Sequence, residues 1–165
     1  MKTVIRRWDR RKDVDFFKAA ELEAFKGTLN RSEDLTERQI LEKFRKMDEE
    51  DPIDLSNPSH EVLIVDSRAR PQIALIWLCS REPFWRFKSR LTWIYNLYVV
   101  PELRRHGIAR MLLQEAEKWT RKEGLVTIAL HVIEWNAPAR HLYEAMGYEL
   151  VHTHNESCFY EKKIG

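Results

Sequence analysis

Two short runs hold the side chains best suited to chemistry. The first, Arg104-Arg105-His106-Gly107-Ile108-Ala109, sets three basic residues and a glycine ahead of a stretch that can open a helix. Residues 92–100, TWIYNLYVV, are rich in β-branched and aromatic side chains and read as a strand, which Pro101 ends by removing a backbone donor. At Gly107 a Cβ would hinder a ligand from approaching the backbone. The first-turn N–H groups of the following helix lack intrahelical partners, and the helix dipole makes that end partly positive. A strand that delivers basic residues to a helix N-terminus therefore forms an anion site. The second run, Asn136-Ala137-Pro138-Ala139-Arg140-His141-Leu142-Tyr143-Glu144-Ala145-Met146-Gly147-Tyr148, begins with a good helix cap and places a phenol seven residues later. As residues alone, Asn136 is an N-cap and Tyr143 a member of an apolar stripe.

The elements that must position these runs follow from periodicity. Val4–Trp8 reads as a short strand, and Asp13 caps a helix with Phe17, Ala20 and Ala24 on one face before Gly27 ends it. Thr36 starts a second helix with Ile40, Phe44 and Met47 inward, followed by an acidic loop from Asp48 to Pro58. Glu61–Asp66 and Ile73–Ser80 form a hairpin, and the strand over 91–100 comes next. Ile108, Leu112, Ala116 and Trp119 mark the inward stripe of a third helix that Gly124 closes. Val126–Val132 is nearly all apolar, as suits a central strand, and the strand–helix–strand succession implies a parallel pair. Ala139, Leu142, Tyr143 and Met146 stripe the fourth helix, and Tyr148–His154 with Cys158–Lys163 close as a hairpin around Asn155-Glu156. The order is β-α-α-β-β-β-α-β-α-β-β, a mixed sheet with helices on both sides.

The 165 residues read as a single domain over 1–165, with enough length for a layered core. Charged residues make up 33% of the chain but nearly cancel at +2, so the global field gives no reason to invoke nucleic acid or a membrane surface. With only Cys79 and Cys158 and no apolar run near the ~20 residues needed to span a bilayer, the expectation is a soluble, cytoplasmic protein without a disulfide framework. The basic N-terminus carries Asp9, Asp13 and Asp15 and reads as mature structure rather than a leader. His152-x-His154 with Cys158 lacks a fourth zinc ligand at recognisable spacing, so no metal site is expected.

The pattern Arg104-x-x-Gly107-x-Ala109 between a strand and a helix resembles the acyl-coenzyme A loop of the GNAT N-acetyltransferases. The run from Asn136 through Tyr143 to Gly147-Tyr148 is similar to that family's second signature, and the element order agrees over nearly the whole chain. The resemblance implies an α/β (α+β) acyl-CoA N-acyltransferase fold, with acetyl-CoA or coenzyme A as co-substrate and no metal. It implies a bulged strand splayed from its parallel neighbour. Backbone groups of Leu97, Tyr98 and Val99 would pair with the pantetheine arm, and an N–H near Val99 would polarise the thioester carbonyl. Amides of Arg105, His106, Gly107, Ile108, Ala109 and Arg110 would surround the pyrophosphate, with charge from Arg104, Arg105 and Arg110. Asn136 would hold the arm while capping its helix, and Tyr143 would protonate the departing thiolate.

One departure from the family pattern concerns the base. A primary amine with a pKa near ~10.4 must lose a proton before it attacks. Family members acting on polyamines carry Ile/Leu-Glu-Asp-Leu where this chain has Ile94-Tyr95-Asn96-Leu97, so both carboxylates are missing. Glu82, Glu134, His131, His152 and His154 are the substitutes read from the sequence, each also explained by structure alone. Phe84-Trp85-Arg86-Phe87 either roofs the acceptor pocket or belongs to the core or a dimer contact.

The leading expectation is an enzyme that moves an acetyl group from acetyl-CoA to a primary amine, of a small molecule or a peptide, in a ternary complex. A non-catalytic acyl-CoA-binding or regulatory module is the alternative, motivated by Tyr95 and Asn96. A nucleic-acid-binding domain built on Arg104, Arg105, Arg110 and Arg121 is a distant third. A homodimer through the C-terminal strands is compatible with the pattern.

Overall fold

Seven strands make one sheet in the computed structural model, which describes residues 1–29 and 34–165. In chain order they are β1 (Thr3–Arg7), β2 (His60–Ser67), β3 (Ala74–Arg81), β4 (Leu91–Val99), β5 (Thr127–Ile133), β6 (Glu149–His154) and β7 (Ser157–Lys163). Four helices accompany them: α1 (Arg10–Thr28), α2 (Glu37–Glu50), α3 (Ile108–Lys122) and α4 (Ala137–Ala145). Across the sheet the order is β1-β2-β3-β4-β5-β7-β6. β4 and β5 run parallel, joined by α3 as a crossover, and the other neighbours are antiparallel. Asn155 and Glu156 turn β6 into β7 with φ of 46° and 63°, the left-handed pair that matches strand twist in a two-residue hairpin.

The helices cover both faces. Ile108, Leu112, Leu113 and Ala116 of α3 pack with Ile94, Ile128, Leu130 and Tyr160 of the sheet, and Tyr143 of α4 joins the same cluster. On the opposite face Ala20 of α1 packs with Val62, Ile64, Leu75 and Trp77, and Phe17 lies against them. Each fully buried Leu or Ile here contributes about 1.5–3 kcal/mol by leaving water. Phe87, Leu91, Trp93 and Ala129 form a third cluster, so Phe87 belongs to the core, whereas Trp85 stays 46% exposed.

Several boundaries differ from the sequence reading for physical reasons. Helix α1 starts one turn earlier, because Asp9 caps it through Arg11 N. Asp13 lies inside the helix, fully buried, where Arg6 draws its carboxylate inward. Ala24 is exposed, and the inward stripe runs through Asp13, Phe17, Ala20 and Glu21; the helix passes Gly27 to Thr28. Thr36 does cap α2, in a reciprocal capping box with Gln39. No α2 side chain is fully buried: Phe44 meets Phe25 at a ring distance of 5.6 Å, while Met47 is 47% exposed. Val126 lies outside β5 and is exposed.

Candidate functional site

β4 and β5 pair at only two positions, Thr92↔Ile128 and Trp93↔Ala129. On the other edge of β4, Trp77 of β3 faces Asn96 and the next residue, Leu78, faces Ile94. Tyr95 is therefore an extra residue, and the bulge bends β4 away from β5. Beyond Trp93 no strand pairs with the β5 side of β4, to which alternation turns the backbone groups of Leu97 and Val99; those of Tyr98, like Val100 N, which donates to the Ile73 carbonyl at 2.9 Å, turn to β3. An unpaired strand edge inside a sheet accepts an extended ligand in place of the missing strand.

The open half of β4 leads into the basic loop through a short 3-10 turn at Pro101–Leu103. Arg105 and Gly107 both adopt left-handed backbone, with φ of 65° and 80°. Gly107 is the N-cap of α3, and no side chain caps that helix. Its first amides are thus presented outward, next to the exposed side chains of Arg105 and Arg110. A Cβ built on Gly107 meets no protein atom within 4 Å, so the space above it is open to a ligand. Two basic side chains serve the loop itself. Arg104 Nε donates to the Val99 carbonyl at 2.9 Å, and His106 Nδ1 donates to the Arg104 and Leu103 carbonyls at 2.9 and 3.1 Å.

Helix α4 carries the second run, with Asn136 as its N-cap. Asn136 Oδ1 accepts from Ala139 N at 3.3 Å, and its Nδ2 has no partner among the described residues. Tyr143 is 7% exposed; its ring packs edge-on to Tyr148 at 5.6 Å and tilted to Tyr160 at 6.4 Å. Its hydroxyl makes no hydrogen bond among the described residues, and burial pushes the phenol well above its ordinary range. Val99, Ile108 and Tyr143 share one core cluster, and Arg110 reaches Met146 at the end of α4. The end of β4, the start of α3 and the Tyr143 ring thus share one core cluster, with α3 and α4 joined at Arg110 and Met146.

The base candidates read from the sequence scatter. Glu82 is exposed and paired with Arg90 at 3.0 Å, and Glu134 is exposed at the β5–α4 turn. His152 and His154 both lie against Trp85, at 5.5 and 5.7 Å. Strand alternation sends neighbouring Cys158 to the opposite face, into the core under α3 and α4, so the three do not converge. Among the described residues no group of His, Cys, Asp or Glu can hold a metal ion, and both cysteines are free and buried. His131 stacks on Trp93 at 6.0 Å beside the start of the gap, and burial lowers its pKa.

Sequence reasoning missed Glu21. It lies on the sheet-facing side of α1, and its carboxylate accepts a hydrogen bond from Asn96 Nδ2 at 2.8 Å. Burial pushes Glu21 up to about 7, with Asp48 adding to the rise and the Asn96 hydrogen bond opposing it. A signal existed: Glu21 stands four residues after inward Phe17, an odd place for a carboxylate on an apolar stripe. Tyr95, the residue before Asn96, stacks on Trp77 at 4.3 Å and 22°, and His60 packs on both rings.

The comparisons with known proteins agree with this geometry. The Acetyltransferase (GNAT) family matches residues 31–148. The chain is similar to an aminoglycoside N(6')-acetyltransferase type 1 of Acinetobacter genomosp. 13, 29% identical over 77 residues covering 47% of this chain and 51% of that one. It is also similar to a [Ribosomal protein bS18]-alanine N-acetyltransferase of Salmonella typhimurium, 38% identical over 55 residues, 33% of this chain and 37% of that one. The chain thus spans about half or less of the length of these curated relatives. Among solved structures, the PaiA N-acetyltransferase from Thermoplasma acidophilum in complex with coenzyme A superimposes with a TM-score of 0.74 at 22% identity, over 99% of both chains. The fold is the acyl-CoA N-acyltransferase fold. Among the described residues no helix is long and apolar enough to cross a membrane.

Proposed function

The chain belongs to the acetyltransferase (GNAT) family, and on that premise we propose that residues 1–165 act as one domain that transfers an acetyl group from acetyl-CoA to a primary amine. The observation that carries this reading is the splay of β4 from β5 running into an uncapped α3 N-terminus behind Gly107. An extended arm ending in phosphates matches both halves of that arrangement.

Acetyl-CoA supplies a thioester, whose carbonyl carbon an amine attacks directly. The backbone groups of Leu97 and Val99, which face the gap, orient the pantetheine arm as an added strand would be oriented, and an amide near Val99 polarises the carbonyl. Because the Val99 carbonyl already accepts from Arg104 Nε, that residue's part is its N–H. The amides from Arg105 to Arg110 receive the pyrophosphate, with the side chains of Arg105 and Arg110 adding charge and Arg104 and His106 holding the loop in shape. Asn136 Nδ2, which has no partner among the described residues, holds the arm while Oδ1 caps α4. Burial favours the protonated phenol of Tyr143, which presents its O–H to the departing sulfur. The two curated relatives share, in their names, an acetyl group and a nitrogen acceptor, and the acceptor proposed here is a primary amine of a small molecule or a peptide.

Two measurements test the reading. Coenzyme A at about 100-fold over its Kd should stabilise the fold by about 2.7 kcal/mol, visible as a raised melting temperature. Incubation with acetyl-CoA and a panel of primary amines should release coenzyme A faster than the thioester hydrolyses alone. Stabilisation without release for any amine would leave an acyl-CoA-binding module; no stabilisation would defeat the cofactor assignment itself.

A further inference from the structure

We propose that the Glu21–Asn96 pair is the acceptor site, where the ammonium group of the substrate docks against the Glu21 carboxylate and gives it a proton. The inference rests on the transfer reading above and supplies what that reading lacks, a base.

The placement comes first. Asn96 follows the bulged Tyr95 directly and stands three residues beyond Trp93, the last β4 residue paired with β5. It is therefore on the open half of β4, next to Leu97, the first backbone group assigned to the thioester arm. Trp77 and Asn96 are opposed in the ladder and share the α1 side of the sheet, and Asn96 there donates to Glu21 at 2.8 Å. The carboxylate that the two β4 positions lack is thus delivered from another element to the same spot. Asn96 is itself 9% exposed, and an amide so buried keeps its donor only where a fixed acceptor meets it. The stacked rings of Trp77 and Tyr95 form an apolar wall on this face of the sheet, packed with Phe17 and Ala20 of α1.

The chemistry agrees. A protonated alkylamine needs an anion to dock on and a base to deprotonate it, and one carboxylate serves both in turn. Burial raises the proton affinity of Glu21 to near neutrality, Asp48 of α2 adds to the rise, and the Asn96 hydrogen bond opposes it. A base so poised is ionised when substrate arrives yet strong enough to take the proton. The step balances: one proton passes from the ammonium to Glu21 and on to solvent, and the nitrogen lone pair forms the C–N bond to the acyl carbon. The C–S bond breaks, and the second nitrogen proton, exchanged through Tyr143 or water, ends on the sulfur. His131 stacks on Trp93, and an imidazole carries no negative charge on which an ammonium could dock.

The test uses the full chain, acetyl-CoA, and the most reactive acceptor among L-lysine, spermidine, kanamycin and an alanyl tripeptide. In the unsubstituted protein kcat/KM should rise with pH through an apparent pKa near 7. Glu21→Gln should lower kcat/KM by about a hundredfold or more and abolish that limb, with coenzyme A affinity unchanged. Asn96→Ala, which removes the bond favouring the carboxylate, should shift the limb to higher pH while keeping measurable turnover; a merely structural role would not move it. If Glu21→Gln folds poorly, Glu21→Asp must show the displaced limb instead. Retention of kcat/KM within threefold and an unmoved limb in these variants overturns the proposal, as does transfer of the whole effect to His131→Gln. Absence of turnover with every amine in the unsubstituted protein would defeat the transfer reading first and this site with it.

Discussion

The Nε1–H of Trp135, at the β5–α4 turn, donates to the carbonyl of Gly27 in the last turn of α1 at 3.0 Å. The bond joins two segments 108 residues apart in sequence. Gly27 lies six residues after Glu21, and Trp135 immediately precedes Asn136, so the tie links the helix carrying the proposed acceptor site to the turn carrying the α4 cap. Trp135→Phe keeps most of the ring and loses the donor. A net hydrogen bond contributes about 1 kcal/mol, so KM for the amine should rise about fivefold while Kd for coenzyme A holds. Steady-state kinetics at saturating acetyl-CoA, alongside calorimetry with coenzyme A, check both numbers.

Gly107 separates fold from ligand more cleanly. Its φ of +80° disfavours any L side chain, yet an added Cβ would touch nothing in the protein within 4 Å. Gly107→Ala should therefore cost only about 1–2 kcal/mol of stability, the penalty of the left-handed conformation. Against a ligand lying on those amides the same methyl is an obstruction, and coenzyme A should bind at least tenfold more weakly than the stability loss would suggest. Urea melts and calorimetric titrations on one preparation separate the two effects. Equal, small losses in both would remove the cradle assignment.

The contrast between Thr36 and Asp13 shows what could be read from the residues beforehand. Thr36 caps α2 with Gln39, and that box is complete within four consecutive residues, so the sequence contains the whole interaction. Asp13 looks like a cap by type, but its partners Arg6, Gln72 and the Asp9 amide arrive from β1, the β2–β3 turn and the helix start. The turn from β4 into α3 was legible for the first reason, since the strand end, the glycine and the helix start are contiguous. Glu21 was not, because Asn96 lies 75 residues away and meets it only after α1 docks on the sheet. The β4 bulge followed from family resemblance and not from residue pattern, because Ile94-Tyr95-Asn96-Leu97 is unbroken strand-forming sequence.

Tyr143 invites a separation of turnover from binding. Its ring is held by Tyr148 and Tyr160, and those contacts do not involve the hydroxyl. Tyr143→Phe should fold as well as the parent and bind coenzyme A nearly unchanged, while kcat falls about a hundredfold. Since burial raises the phenol's pKa, no alkaline loss of activity below pH 10 should trace to Tyr143, and the pH profile of the variant should keep the parent's shape at reduced height. A parallel loss of affinity and turnover would make Tyr143 a packing residue.

Stability in acid turns on Arg6. Its guanidinium bridges Asp13, at 2.8 Å from Nη1, and Asp66, at 2.6 Å from Nε, so β1, α1 and β2 are held by one side chain. Burial of Asp13 opposes its ionisation, but the hydrogen bonds from Arg6, the Asp9 amide and Gln72 outweigh it and keep the carboxyl at about 2. The unfolded value is about 3.9. A carboxyl whose pKa is depressed in the folded state contributes stability that is complete above the unfolded value and disappears as pH falls through the folded one. Asp13 should therefore contribute about 2–3 kcal/mol at pH 7 and lose it between about pH 4 and pH 2. Asp66, lowered first by its Arg6 hydrogen bond, adds loss of the same sign in that range. Asp13→Asn leaves Arg6 with Asp66 alone and should cost about 3 kcal/mol at neutral pH, near the low end for a broken buried pair because Arg6 is partly solvated. Urea denaturation at pH 7, 4, 3 and 2.5 should show the gap between variant and parent narrowing as pH falls. A gap that stays constant across that range would mean that Asp13 contributes through packing and that its charge has no part in holding the helix to the sheet.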